Sequence, residues 1–301
     1  KHIWSAEINT TNPNLITELH KKYINSGCDY ITTNTFRTTP RAYCKQFPKT
    51  NYNVNYKNAY LSFKAAINSA LSAWKDWSAT PLKDRIAIFH KMADLLQGPY
   101  RDLINGSTML GQSKNAFQAE VDAACELIDF LNFNCEYLYN IHKQQPKYSP
   151  EGMQNSTEYR ALEGFILAVA PFNFTSIAAN LSCAPALLGN VALFKPASSC
   201  VYSGYFLMKL FKEAGLPDGV INFVPGSGSQ IGKQVLKHPD LAGIHFTGST
   251  GVFQTMWNTV GGNIKNYKSY PRIVGETGGK DFILAHTSSN RDGLRTAMVR
   301  G

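Results

Sequence analysis

The stretch "GFILAVAPFNFT", residues 164–175, runs six apolar residues together, breaks them at Pro171 and then sets Asn173 between two phenylalanines. A short apolar run closed by a turn signal is the pattern of a strand buried on both faces. Four more runs follow: "VALFKP" at 191–196, "VINFVPG" at 220–226, "AGIHFTGS" at 242–249 and "YPRIVGE" at 270–276, with amphipathic segments between them. Strands alternating with helices across short loops predict an α/β domain with a mostly parallel sheet. In such sheets ligands gather beyond the carboxyl ends of the strands.

Every one of these strands ends in a residue with chemistry to offer. Asn173 follows the first and Lys195 closes the second, where a buried ammonium needs acceptors such as ribose hydroxyls. A lysine emerging into solvent fits the same letters. Gly226, Gly228 and Gly232 follow the third strand as a loose glycine-rich turn that lacks the usual dinucleotide spacing. Gly248 and Ser249 follow the fourth, where a glycine and hydroxyls at a helix start can meet a pyrophosphate. Glu276 ends the fifth, directly before Gly278 and Gly279, which let the backbone turn tightly and be approached closely. A solvated turn with an ordinary surface glutamate reads equally well there.

Upstream of the strands the text is helical. Tyr60, Phe63, Ile67, Ala70, Leu71 and Trp74 fall three and four apart and predict one buried stripe. Thr80 and Pro81 read as an N-cap and first-turn proline opening a second helix through Ile86, Phe89, Ala93 and Leu96. A third helix, roughly 114–138, carries Phe117, Val121, Ala124, Ile128 and Leu131 at the same spacing, with Glu126 among them. An exposed or snorkelling glutamate accounts for Glu126 without any function. Residues 47–56, "FPKTNYNVNY", are polar and aperiodic and read as a junction, and residues 1–46 hold one helical stretch and one β-branched run.

The totals fit an ordinary globular chain. Its 301 residues are 44% hydrophobic, enough for a sizeable core. The net charge of +9 is spread over single basic residues with no basic block, which argues against a nucleic-acid partner. The six cysteines, at 28, 44, 125, 135, 183 and 200, form neither C-x-x-C pairs nor zinc spacing and read as reduced thiols with no metal. No apolar run is long enough to span a bilayer, so a soluble protein with no membrane partner is expected. The chain opens at "KHIWSAEI" with no targeting pattern, and compartment is not legible there.

"APFNFT", "LFKPA", "FTGST" and "GETGGK" stand in the order and at the separations of the aldehyde dehydrogenase superfamily, which residues 57–301 resemble. "QAEVDAACELIDFLNFN" and "SYPRIVGETGGKDF" look closest to its L-glutamate γ-semialdehyde (1-pyrroline-5-carboxylate) dehydrogenases. The resemblance implies an N-terminal helical part over 57–159 and a Rossmann-type NAD-binding part with the start of the catalytic domain over 160–301. It implies that Asn173 stabilises an oxyanion, that Phe174 walls the aldehyde pocket and that Glu276 is the general base. It places Ala170, Lys195, Gly248, Ser249, Thr250, Gly251 and Val252 along NAD, and Glu126 at the amino-acid end of the substrate. It further implies a family that forms homo-oligomers, though the oligomerisation strands are absent from this chain, and a location in the mitochondrial matrix in a eukaryote or otherwise in the cytoplasm.

One departure stands out. No cysteine follows Glu276, whereas the family's nucleophilic cysteine belongs beyond "RTAMVRG", so the chain reads as truncated before its catalytic nucleophile. Residues 1–46 instead resemble a β/α fragment of the homocysteine S-methyltransferases, with Asn34 and Thr35 at a strand end. Neither Cys28 nor Cys44 matches that family's zinc motifs. A chimeric product and a catalytically incomplete NAD-binding module are the alternatives this leaves.

Overall fold

The computed structural model describes residues 52–300 except Ser227, Lys280 and Asp281, with side chains from Phe63 onward apart from those of Ser229, Gln230, Ile231, Lys233 and Arg300. The segment read as methyltransferase-like, including Asn34, Thr35, Cys28 and Cys44, lies outside the described residues, as does the first half of the junction.

Helix α1 (Tyr52–Ala79) begins inside the stretch expected to be a junction. The polar letters there mislead because they form the start of a long helix, whose apolar stripe is described from Phe63 onward. Phe63, Ile67, Ala70 and Trp77 are buried, while Trp74 is half-buried and donates its indole N–H to the Leu162 carbonyl at 2.8 Å. Helix α2 (Leu82–Gln97) buries Phe89, Ala93 and Leu96 as the periodicity predicts. Its N-cap is Pro81, not Thr80. The Thr80 hydroxyl donates back to the Asp76 carbonyl at 2.9 Å and so belongs to the end of α1.

Helix α3 (Arg101–Gln112), which no sequence pattern had marked, is followed by the short α4 (Ala116–Ala119), a π-helical turn (Glu120–Cys125) and α5 (Glu126–Lys143). The π turn corrects the expected core face. Phe117 is 79% exposed and Val121 is exposed too, while Ala119, Ala123, Ala124, Leu127, Leu131, Cys135 and Leu138 are buried. A π turn closes i→i+5 hydrogen bonds and widens the helix, so a count made at 3.6 residues per turn slips across it.

The five expected strands all form: β1 (Phe165–Val169), β2 (Val191–Lys195), β3 (Ile221–Phe223), β4 (Leu241–Thr247) and β5 (Arg272–Glu276). They make one parallel sheet in the order β3-β2-β1-β4-β5. Between them run α6 (Thr175–Leu187), α7 (Val201–Glu213), α8 (Gly228–Val235) and α9 (Thr250–Gly262), and α10 (Arg291–Arg300) ends the described chain. Both α1 and α6 pack against β1 and β2. Phe165, Leu167 and Phe194 are fully buried, each contributing roughly 1.5–3 kcal/mol of apolar burial. Strand β5 differs: it is an edge strand, and Val274 on it is 60% exposed. No helix among the described residues is long and apolar enough to cross a membrane.

Candidate active site

The chain leaves β1 toward β2 and β3 on one side, then returns to place β4 on the other side of β1. The crevice beyond the carboxyl ends of β1 and β4 is therefore a topological switch point, the position where open parallel sheets bind ligands. Strand register levels the candidate residues there. Val169 pairs with both Lys195 and Phe246, and Thr247 pairs with Glu276. Ala170 donates its N–H to the Lys195 carbonyl at 3.0 Å, and Gly248 donates its N–H to the Glu276 carbonyl at 3.1 Å.

Lys195 is 9% exposed, and its ammonium has no hydrogen bond or ion pair among the described residues. Burial pushes its pKa down, against a weaker upward pull from Cys200. A charge buried without a partner is costly, and Lys195 sits at the carboxyl end of β2, level with the switch point, where a nucleotide's hydroxyls would satisfy it. The helix that follows β4 begins at the same end. Ser249 caps it, accepting the Val252 N–H at 3.4 Å, while Thr250 and Val252 are exposed and a side chain at Gly251 would meet open space. Lys195 together with the β4-to-α9 turn thus fits a dinucleotide, with the helix N-terminus available to its phosphates.

On the other wall, Asn173 stands exposed in the loop from β1 to α6, its carboxamide without a partner among the described residues. Phe174 is half-buried at the N-cap position of α6, and the Lys114 ammonium lies 4.3 Å from its ring centroid. Lys114 in turn pairs with Asp122. Ser176 donates to the Asp122 carbonyl at 2.8 Å and also bonds the Glu126 carboxylate. Glu126 is thereby brought to the Asn173 loop, which its place in an apolar stripe had not revealed. The π turn carrying Asp122 is held by Glu120, which accepts Arg101 Nε at 2.9 Å and Asn105 Nδ2 at 2.5 Å. Lys114, Asp122 and Ser176 were invisible to periodicity because they are single polar letters, and the contacts of Lys114 with Phe174 and of Asp122 and Glu126 with Ser176 join residues 50 or more apart. The "GQSKN" break after α3 was the one signal available.

Glu276 ends β5 and is exposed; the Thr247 hydroxyl donates to its Oε2 at 3.1 Å. With β4 between β1 and β5, the loops bearing Asn173 and Glu276 leave the same sheet end about 10 Å apart. A donor and a carboxylate facing one crevice beside a dinucleotide cradle are suited to acyl chemistry coupled to hydride removal. The described cysteines do not supply its nucleophile. Burial raises the pKa of Cys125, of Cys135 to about 11, and of Cys183, leaving these as thiols, and the buried Cys200 donates its S–H to the Phe172 carbonyl at 3.1 Å.

Residues 49–301 match the Aldehyde dehydrogenase family, and the chain belongs to it. A probable delta-1-pyrroline-5-carboxylate dehydrogenase of Schizosaccharomyces pombe is 50% identical over 236 residues, covering 78% of this chain and 42% of that protein. A mitochondrial delta-1-pyrroline-5-carboxylate dehydrogenase of Dictyostelium discoideum is 42% identical over 303 residues, covering 98% of this chain and 54% of that protein. Among solved structures, the Mycobacterium tuberculosis delta-pyrroline-5-carboxylate dehydrogenase bound with NAD aligns with a TM-score of 0.77 at 52% identity, over 82% of this chain and 45% of that one. The chain thus spans about half the length of the relatives it matches, or less.

Proposed function

We propose that this chain is the NAD-binding part of an enzyme that oxidises L-glutamate γ-semialdehyde to L-glutamate in proline catabolism. The observation that supports the proposal is the shared sheet end: buried, unpartnered Lys195 closes β2, Asn173 follows β1 and Glu276 closes β5, so all three stand at the carboxyl ends of strands around the β1–β4 switch point. Relatives at 42–52% identity bear that activity in their names. NAD, when bound, would supply the hydride acceptor. Lys195 would hold it at a ribose hydroxyl, and Ala170 with Gly248 through Val252 would lie along it.

Asn173 donates to the oxyanion that forms when a thiolate adds to the aldehyde, and Phe174 walls that pocket. Glu126, held by Ser176, faces the substrate's ammonium. Glu276 draws a proton from the water that hydrolyses the acyl-enzyme. Residues 277–301 contain no cysteine to serve as that thiolate. A mitochondrial location is supported by the name of the Dictyostelium relative, while the matrix and a homo-oligomer rest on the family resemblance alone. No comparison supports the methyltransferase-like reading of residues 1–46, and the Dictyostelium match, covering 98% of the chain, reaches into that segment.

The test is rapid-mixing measurement of NADH formation from L-glutamate γ-semialdehyde by the native gene product. Asn173→Ala removes a donor aimed at charge present only in the tetrahedral states, and the first turnover should slow roughly a hundred-fold. Glu276→Gln should give a burst near one NADH per site and little turnover after it. Wild-type steady-state turnover in Glu276→Gln would show that "GETGGK" is only a turn.

A further inference from the structure

The loop that carries Asn173 is held on both sides by one buried hydrogen-bonded chain. Gln112, the last residue of α3, donates through Nε2 to the Thr175 hydroxyl at 2.8 Å and to the Cys200 sulfur at 3.5 Å. Cys200 passes the chain on, its S–H donating to the Phe172 carbonyl at 3.1 Å. On the other branch the hydroxyls of Thr175 and Thr108 lie 2.8 Å apart. Thr108 and Thr175 are fully buried and Cys200 nearly so. The bonds share a consistent direction in which the Ser199 hydroxyl, 3.5 Å from the Cys200 sulfur, is a donor rather than an acceptor. With the Gln112 amide donating to sulfur, the thiol proton is free for the Phe172 carbonyl; a reversed amide would take that proton and leave the carbonyl without it.

The chain therefore fixes the residue immediately before Asn173 and the residue two after it, and touches nothing of Asn173 itself. The Asn173 carboxamide stays without a partner among the described residues. A donor for developing charge should be unoccupied in the resting protein and mounted on backbone that needs no reorganisation.

We propose that Gln112 and Cys200 are positioning residues that hold the Phe172–Thr175 backbone so that the free carboxamide of Asn173 is preorganised as the oxyanion donor. The proposal rests on the role given to Asn173 above. Its test, however, requires neither cofactor nor turnover, so its failure is distinct from failure of the dehydrogenase reading.

The measurement is 15N relaxation of the backbone amides of Phe172, Asn173 and Phe174 in the 301-residue chain. Order parameters of about 0.85, the value of rigid backbone, are expected despite the loop's exposure. In Cys200→Ala they should fall below about 0.6 at these positions while those of β1 and β2 are unchanged. Cys200→Ser, which keeps a donor, should restore them. Gln112→Leu keeps volume and removes the donor on the surface side of the network, and should give the same local loss. A mobile loop in the wild type, unchanged order in both donor-free variants, failure of Cys200→Ser to restore it, or a loss spread equally through β1 and β2 would each overturn the proposal.

Discussion

The Thr247 hydroxyl donates to Glu276 Oε2 at 3.1 Å across a register pair of β4 and β5, while the Gly248 N–H bonds the Glu276 carbonyl. The carboxylate is thus aimed by a side chain and its backbone is fixed by the ladder. Thr247→Val removes only the first. Thermal unfolding should change by no more than about 1 kcal/mol, the usual worth of one exposed hydrogen bond. The Glu276 side chain should become rotationally averaged in its NMR couplings, and a single retained rotamer would show that Thr247 does not orient it.

Gly275, next to Glu276, lies against the Phe253 ring so closely that a Cβ would come within 2.1 Å of it. Gly275→Ala therefore forces the ring or β5 to move, at about 1–3 kcal/mol for overpacking. Urea unfolding should register that loss, and hydrogen exchange should rise along β5 more than along β1. An unchanged midpoint would mean that Phe253 swings aside freely.

Lys195 is a liability to the fold for the same reason that it suits a nucleotide. Lys195→Met keeps the stem and removes an unpaired buried ammonium. In the absence of NAD it should raise the melting temperature, with a gain on the order of 1 kcal/mol. Because burial lowers the folded-state pKa of the wild-type lysine, the unfolded chain binds more protons between the folded-state value and the ordinary lysine value. The advantage of Lys195→Met should accordingly be full below the folded-state value and shrink as pH rises through that window toward the ordinary lysine value. A lower melting temperature in the variant would show that the ammonium has a stabilising partner.

Acid should weaken the fold through His245, which lies on β4 with Nδ1 at 3.0 Å from the Leu181 carbonyl. Burial holds its pKa below the ordinary histidine value, partly offset by that bond, and His238 shifts the same way through burial. The unfolded chain then binds more protons, so this contribution is full above about pH 6.5 and is lost as pH falls toward the folded-state pKa. Stability measured in urea at about pH 7.5 and about pH 5.5 should differ less in His245→Gln than in the wild type. Equal differences would remove His245 from the account.

The strands were legible because a parallel sheet buried on both faces leaves continuous apolar runs, and Phe165–Val169 or Val191–Lys195 can hardly be anything else. Lys195, Asn173 and Glu276 were legible because each interrupts or closes such a run. What failed to show was everything that depends on a register not written in 3.6-residue spacing. The π turn at Glu120–Cys125 moved the core face off Phe117 and Val121, and it placed Asp122 and Glu126 at the Asn173 loop. The partners of that loop, Gln112 and Cys200, come from 63 and 28 residues away through single side-chain bonds, which leave no periodic trace.

Calorimetric titration of the 301-residue chain with NAD tests the central claim, that the β1–β4 crevice with Lys195 is a dinucleotide site. The account predicts saturable binding of one NAD per chain, weakened at least about ten-fold, or about 1.4 kcal/mol, in Lys195→Ala. No binding heat at millimolar NAD, or identical binding by wild type and Lys195→Ala, would contradict it.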